Sequence, residues 1–535
     1  MTMTLIIVAR VSLECLILSV AIFLLCMLLR LQSVIDPGRY AHGWRGDLLS
    51  LLVGAALPFA FAPFKLLLPG ILSPALLFLL LYELKPRAAL RRGFCFGLGL
   101  FGVGVSWVYV AIADFSASGV VVALVLTALF VMALAVYPAI FAWLAARLWQ
   151  WQRLPLAWWY LVTLPVLWLW LEWLRGWLFT GFTWLQLGYS QLDAPLLGWA
   201  PLLGVYGLGL WLVVSAGALA WLLHRGRSAW PGVVLAVCLW LAGWALQQIE
   251  WTQPAGKPLR VALIQDNLPQ ETKWSAEEFD LRLDLYARLT LENIGEVDAV
   301  IWPENAITVF YHELKDDYFS YLAEQAGAAG TDIIIGVPVK RDDAPGYYTS
   351  LMVLGTKDGA YHKHHLVPFG EFVPFESWLR GLIEFFDLPM SGFSPGPAGQ
   401  PPLAVAGQLA AMSICYEDAF GEELLHNFPA ATLLINGSNN AWYGDSLALH
   451  QHLEIARMRT VETGRPLVRA TTTGISALVD HYGQITQSTP AFEQLVLRGE
   501  VQPMQGLTPY IRWGNMPVLL LLVLGLALTI RPRRT

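Results

Sequence analysis

Between residues 257 and 509 the chain alternates short β-branched runs with stretches of helical period, and on both sides of this part lie apolar runs of membrane-spanning character. A bilayer offers no water to backbone groups, so a segment crossing it is a helix or part of a closed barrel. A helix that crosses needs about 20 mostly apolar residues. The pattern therefore points to membrane helices with one water-soluble insert. Composition agrees, with 56% hydrophobic and 14% charged residues, where soluble domains carry about 25% charged. The net charge is −6 with no basic stripe, which argues against nucleic acid as a partner.

Candidate spans cover residues 48–62, 71–82, 93–112, 120–148, 158–179, 197–223, 232–248 and 516–530, the first two being short. With eight spans, the basic clusters at Lys85, Arg87, Arg91 and Arg92, at Arg147 and Arg153, at Arg225 and Arg227, and at Arg531, Arg533 and Arg534 fall on one side. The excess of Lys and Arg on cytoplasmic loops makes that side the cytoplasm, and the soluble insert then faces the bacterial periplasm. Another apolar run, 5–31, comes first. Arg10 and Glu14 interrupt it and no small-residue cleavage site follows, so it does not read as a secretion signal. It reads as a ninth span, a start-site extension or a segment that is removed. The expected division is an extra hydrophobic segment at 1–44, membrane helices at 45–256, a soluble domain at 257–509, and a last helix with a basic tail at 510–535. Glycines 93, 97, 99, 102 and 104 along the third span suit close helix packing, and Glu172 and Arg175, three residues apart, suit an intrahelical pair. Of five cysteines, Cys15, Cys26, Cys95 and Cys238 lie in apolar runs; Cys415 stands alone in the insert, so no disulfide framework is implied there.

Within the insert, residues 259–265, 298–302, 332–337, 409–414, 432–436, 467–471 and 476–479 read as strands, and 348–354 with 360–362 as a hairpin about Lys357-Asp358-Gly359. Residues 276–292, 318–329 and 421–427 read as helical, and 447–463 as an amphipathic helix. Alternation of strands and helices predicts a layered α/β domain. Cys415 ends a strand where the chain turns toward a helix, a place that lowers a thiol pKa. Glu304, just past a strand, can take the thiol proton as general base. Lys363 can hold the oxyanion of a tetrahedral intermediate. His362, His364 and His365 alternate about Lys363 without a ligand spacing, and His450 and His452 near a helix start read as structural.

Three phrases then converge: Trp302-Pro303-Glu304; Tyr361-His362-Lys363-His364-His365-Leu366-Val367-Pro368-Phe369-Gly370-Glu371; and Ile414-Cys415-Tyr416-Glu417. Together they resemble the nitrilase superfamily. Ser106-Trp107-Val108-Tyr109-Val110, Leu174-Arg175-Gly176-Trp177, Gly188-Tyr189-Ser190-Gln191 and Gly506-Leu507-Thr508-Pro509-Tyr510 narrow the resemblance to the apolipoprotein N-acyltransferases, from about residue 45 to the C-terminus.

The resemblance implies an αββα nitrilase-like sandwich inserted in a bundle of about eight helices, with a Glu304–Lys363–Cys415 triad. It implies a two-step reaction at a bacterial inner membrane. Cys415 takes an acyl chain from a phospholipid, and the α-amino group of a diacylated apolipoprotein attacks the thioester. Trp274, Glu371, Tyr416 and Glu417 match positions the family uses near the substrate cleft, beside the triad and in turnover. No metal or cofactor is implied, and a monomer in contact with membrane lipid is expected. Thr349, Asn440 and Thr472 stand where the family commonly has Asn, Asp and Asn, which bears on loop hydrogen bonding and substrate preference. Two other readings compete: a membrane-tethered nitrilase-type amidase, in which water attacks the thioester, and a transporter with an inert soluble domain, which would place paired charges or broken helices at mid-membrane.

Overall fold

The computed structural model describes residues 43–113, 119–152, 154–268, 278–368, 370–372 and 392–530. The apolar run at 5–31 and Trp274 lie outside the described residues.

The apolar stretches before the insert fold as helices: α1 (Trp44–Ala56), α2 (Leu67–Leu81), α3 (Pro86–Gly104), α4 (Gly119–Gln152), α5 (Leu164–Arg175), α6 (Ala200–Arg225) and α7 (Trp230–Leu246). Proline stands in the first turn of α3, α5, α6 and α7, where its missing N–H costs nothing and its fixed φ suits a helix start. Two stretches are long and apolar enough to cross a membrane, Gly119–Gln152 and Pro195–Leu246. The second is a hairpin: α6 and α7 are joined by a 3-10 turn at Gly226–Ala229, and Gly198 abuts Gly243. Most of the remaining helices here run shorter than a full span, for instance 13 residues in α1 and 12 in α5, and the 19-residue α3 carries Arg87, Arg91 and Arg92. Where the sequence suggests one run over 158–179, the backbone passes through a π turn at Trp159–Thr163 and leaves the helix at Gly176, with Phe179 in the left-handed region at φ 56°.

The glycine reading of the third span holds at most positions. A Cβ on Gly93 or Gly97 would strike Pro138 or Ala135 of α4, and one on Gly99 would strike the Leu51 carbonyl of α1. Gly102 is the exception, with only Val131 at 4.0 Å. Glu172 and Arg175 do not form the expected pair. The Glu172 carboxylate accepts from the Leu187 N–H at 3.0 Å and Trp168 at 3.3 Å, while Arg175 donates to the carbonyls of Phe182 and Trp184 at 2.7 and 2.6 Å. Both therefore hold the loop after α5, because its turned backbone leaves polar groups that a buried site must satisfy.

The insert continues as β1 (Thr252–Pro254), β2 (Leu259–Gln265), α8 (Phe279–Leu291), β3 (Ala299–Ile301), α9 (Ser320–Ala329), β4 (Asp332–Lys340), β5 (Tyr347–Leu354) and β6 (Gly359–His362). Then follow β7 (Leu403–Val405), β8 (Gln408–Ile414), β9 (Leu433–Ser438), α10 (Leu447–Thr463), β10 (Leu467–Thr471), β11 (Ala477–Val479), β12 (Ile485–Ser488), β13 (Leu495–Val501) and β14 (Met504–Gly506), before the last helix α11 (Met516–Ile530). Two six-stranded sheets form, ordered β13-β2-β3-β4-β5-β6 and β12-β11-β10-β9-β8-β7, and β1 pairs with β14 in a separate ribbon. In each sheet the three central strands are parallel. They are also the most continuously apolar strands, as burial on both faces requires.

One core lies between the sheets, including Leu263, Ile301, Ile334, Met412, Ile435 and Val468. A second packs the outer face of the first sheet under α8 and α9, through Tyr286, Leu289, Leu322 and Ala326. A third packs the other sheet under α10, through Leu453 and Ala456. The result is a helix–sheet–sheet–helix sandwich, and the carboxyl ends of β3, β6, β8 and β9 meet at one edge.

Three sequence expectations are corrected. The segment at 421–427 is 3-10 rather than α-helical, as is Cys415–Ala419. Strands β7, β12 and β13 and the β1–β14 ribbon are absent from the sequence reading. They are short, polar or interrupted, and β12 is exposed along its whole length, so periodicity has little to detect. Helix α10 is not amphipathic in its burial: from Ala448 to Thr463 only His450 is even partly exposed. Its second face packs Ile455, Met458 and Val461 into the core of α1–α7, so both sides are covered.

Candidate active site

The site is built where strand ends converge. Glu304 leaves β3, Lys363 leaves β6, and Cys415 leaves β8. All three side chains are buried, at 5%, 1% and 6% exposure. Lys363 Nζ lies 3.0 Å from Glu304 Oε1 and 2.7 Å from Glu371 Oε1. The second oxygen of each carboxylate is also held: the Asn439 N–H donates to Glu304 Oε2 at 2.8 Å, and the Val367 N–H donates to Glu371 Oε2 at 2.7 Å. Each carboxylate oxygen has more than one acceptor site, so Glu304 can still receive a proton.

Burial opposes the Lys363 charge, yet the Glu304 and Glu371 carboxylates outweigh it and raise its pKa well above the usual lysine value. Lys363 is therefore a fixed cation. Burial, and then the charge of Glu304, push the Cys415 thiol far up, with Lys363 pulling against them. This corrects the expectation of a lowered thiol pKa. The turn after Cys415 is a five-residue 3-10 segment, and its weak dipole does not offset burial. At rest this environment favours the thiol over the thiolate, and the Glu304 and Glu371 carboxylates lie in the same buried cluster.

Cys415 has φ 52°, a left-handed conformation that costs a non-glycine residue about 1–3 kcal/mol and persists only where surroundings enforce it. On its amino side the Ile414 N–H donates to Glu417 Oε2 at 2.7 Å. Glu417 also accepts from the His364 and His365 N–H groups at 2.7 and 3.1 Å and from the Tyr361 hydroxyl at 3.1 Å. One carboxylate thus ties the nucleophile turn to the segment carrying Lys363. Burial pushes Glu417 up to about 7, against the pull of the backbone N–H donors of His365 and Ile414.

Tyr416 faces the other way. Its hydroxyl donates to the Gly181 carbonyl at 2.7 Å, and its ring stacks on Trp184 with centroids 5.6 Å apart. Gly181 and Trp184 belong to the loop that Glu172 and Arg175 secure, so the helical region packs directly on the residue that follows Cys415. Tyr443, after β9, packs edge-on to Trp107 at 4.9 Å on the same side.

Of the residues singled out in the sequence, Glu304, Lys363, Glu371, Cys415, Tyr416 and Glu417 come together, and Trp274 is outside the described residues. The three histidines about Lys363 diverge: Nδ1 of His362 meets Ser350, that of His364 meets the Gly396 carbonyl, and that of His365 meets Glu423. Thr349 meets Lys363 through its backbone carbonyl, and its side chain is fully buried. Thr472 donates to Asn439 Oδ1 at 2.8 Å, one step behind the amide that orients Glu304. Sequence reasoning missed Asn436, Asp418, His452, Arg469, Trp184 and Tyr443 around the nucleophile. They lie on elements far apart in the chain, and nothing in their local sequence marks them.

Two family models match the chain: the apolipoprotein N-acyltransferase N-terminal domain over residues 53–218, and carbon-nitrogen hydrolase over 260–509. The apolipoprotein N-acyltransferase of Azotobacter vinelandii is 45% identical over 494 residues, covering 91% of this chain and 95% of that protein. Its counterpart in Methylococcus capsulatus is 43% identical over 474 residues, covering 88% and 93%. Among solved structures, a carbon-nitrogen hydrolase from Helicobacter pylori aligns at TM-score 0.34 and 18% identity, over 46% of this chain and 89% of its own.

Proposed function

The chain belongs to the apolipoprotein N-acyltransferase family, and from that premise we propose that Cys415, Glu304 and Lys363 carry the acyl transfer through a thioester. The observation that carries this is the position of Lys363, held between two buried carboxylates at the strand edge where Cys415 turns. Glu304 takes the Cys415 proton as sulfur attacks the ester carbonyl of a phospholipid. Lys363 holds the developing oxyanion. The ester C–O bond breaks, and Glu304 returns the proton to the lysophospholipid oxygen. In the second half the α-amino group of a diacylglyceryl-cysteine at an apolipoprotein N-terminus gives a proton to Glu304 and attacks the thioester. The C–S bond breaks and sulfur regains a proton, leaving an amide on the lipoprotein.

Glu371 keeps Lys363 in place and Glu417 keeps the two segments in register. Trp274 is read as a contact near the substrate cleft. The helices at 45–256 and 510–535 form a multi-pass bundle in the inner membrane, the basic clusters on the cytoplasmic side and the sandwich on the periplasmic side. The wall built by Trp184 and Tyr416 supports a lipid donor, because it sets the nucleophile against apolar helices. The enzyme works as a monomer.

The test is intact-mass measurement of the purified protein after incubation with phospholipid in detergent, beside Cys415→Ala. The expected result is a hydroxylamine-labile gain of one acyl chain, absent from the variant, that is discharged by a diacylated lipopeptide. Release of free fatty acid as the main product in the presence of that lipopeptide would instead favour the amidase.

A further inference from the structure

At the Cys415 carbonyl lies a network of buried polar groups that the reaction above does not use. Arg469 Nη1 on β10 donates to Asp418 Oδ2 and to Asn436 Oδ1, each at 2.6 Å. Asn436 Nδ2 on β9 lies 3.4 Å from the Cys415 carbonyl oxygen. His452 Nε2 on α10 lies 3.2 Å from the same oxygen and 3.0 Å from Asp418 Oδ1. His452 and Asn436 are fully buried, and Asp418 and Arg469 nearly so. Both neighbours of His452 Nε2 are acceptors, so that nitrogen carries a proton. Burial, and then the Arg469 charge, hold the His452 pKa down. Trp184 lies against the ring, with centroids 5.5 Å apart.

We propose that His452 is a positioning residue for the nucleophile: its Nε2–H, oriented by Asp418 and Arg469, holds the Cys415 carbonyl and with it the left-handed turn that aims the thiol. The strain at Cys415 needs enforcement from both sides. Glu417 supplies it on the amino side, and on the carbonyl side the donors are Asn436 and His452. His452 has the shorter contact. A peptide is planar and trans, so fixing the Cys415 carbonyl also fixes the Tyr416 N–H that points the opposite way. Release of the carbonyl lets the peptide rotate, and the thiol loses its aim at the ester.

The proposal rests on Cys415 as the nucleophile, which the Cys415→Ala control tests separately. The experiment measures single-turnover acylation of the full-length enzyme by phospholipid for His452→Gln, His452→Asn and His452→Leu, with KM for the phospholipid and the melting temperature. The glutamine amide reaches the place of Nε2, while the asparagine amide stops near Nδ1. Since misplacing a reacting group by about 1 Å costs about 100-fold, Asn and Leu are expected to lose about that much in kcat with KM unchanged, and Gln to stay within about threefold. Equal rates for Gln and Asn, or a loss confined to KM or to melting, would overturn the proposal. Should His452→Leu fail to fold, the Gln and Asn pair decides alone. A parent enzyme that forms no Cys415 adduct would instead sink the nucleophile assignment.

Discussion

Two of the places where the sandwich domain buries charge are wired differently. At the strand edge, Lys363 is shared by Glu304 and Glu371 beside a thiol that must give up its proton. On α10, Glu454 accepts from the Ala62 N–H at 3.1 Å, and Glu462 accepts from the Val205 N–H at 2.8 Å with Arg459 at 2.9 Å. Arg457 reaches Asp193 at 2.7 Å. The first cluster concentrates charge that does not leave. The second spends its charge on backbone groups of the helical region and so clamps the two regions together. Buried ions alone therefore do not mark a catalytic site; in the mechanism proposed above, what distinguishes the strand edge is the adjacent Cys415 thiol, whose protonation has to change.

Variants can separate the two clusters. The largest effects belong at the strand edge. Glu304→Gln should slow single-turnover acylation by roughly 10²–10⁴-fold through loss of the general base, and Lys363→Ala by roughly 10²–10³-fold through loss of an oxyanion donor. In Glu304→Gln the melting temperature should also fall somewhat, because an amide oxygen kept on the Asn439 N–H turns the NH2 donor toward the Lys363 ammonium. A normal acylation rate in either variant would remove that residue from its role. On α10 the pattern should invert. Glu462→Ala leaves the buried Arg459 guanidinium without its counter-ion and the Val205 N–H unpaired, which costs about 3–5 kcal/mol of stability, visible as a lower melting temperature in detergent with acylation little changed.

A smaller effect sharpens the same contrast. Burial pushes Glu454 and Glu462 up to about 7, from an ordinary value of 4.5. Between those values the folded protein holds more protons than the unfolded chain. Stability is therefore greatest below about 4.5 and declines as pH rises to about 7, then levels. The double variant E454Q/E462Q keeps both acceptors without a titrating group, so the decline in melting temperature over that window should flatten. An unchanged slope would mean the carboxylates titrate normally. The smallest effect expected is that of Thr472→Val, which removes one hydrogen bond to Asn439 and should cost about 1 kcal/mol or less, with a modest loss of acylation rate through Glu304.

The active site was legible in the sequence where chemistry and chain order coincide. Glu304, Lys363, Glu371, Cys415, Tyr416 and Glu417 lie in compact phrases beside strands, and those phrases carried both the residue types and the resemblance. The support under Cys415 was not legible. His452 read as an ordinary helical histidine, and Asp418, Asn436 and Arg469 come from three further elements. Only the parallel order of β8, β9 and β10 stacks them beneath one carbonyl.

By itself the sequence determined which segments are apolar helices, that a layered α/β domain lies between them, and which groups can attack, accept a proton and hold an oxyanion. These follow from periodicity, charge and residue chemistry, which are local properties. Tertiary structure alone decided that Glu172 and Arg175 secure a loop rather than each other, that α10 is covered on both faces, and that burial raises the Cys415 thiol pKa. Each depends on what packs against a group from another part of the chain, because burial and the partners of a polar atom are set by neighbours in space.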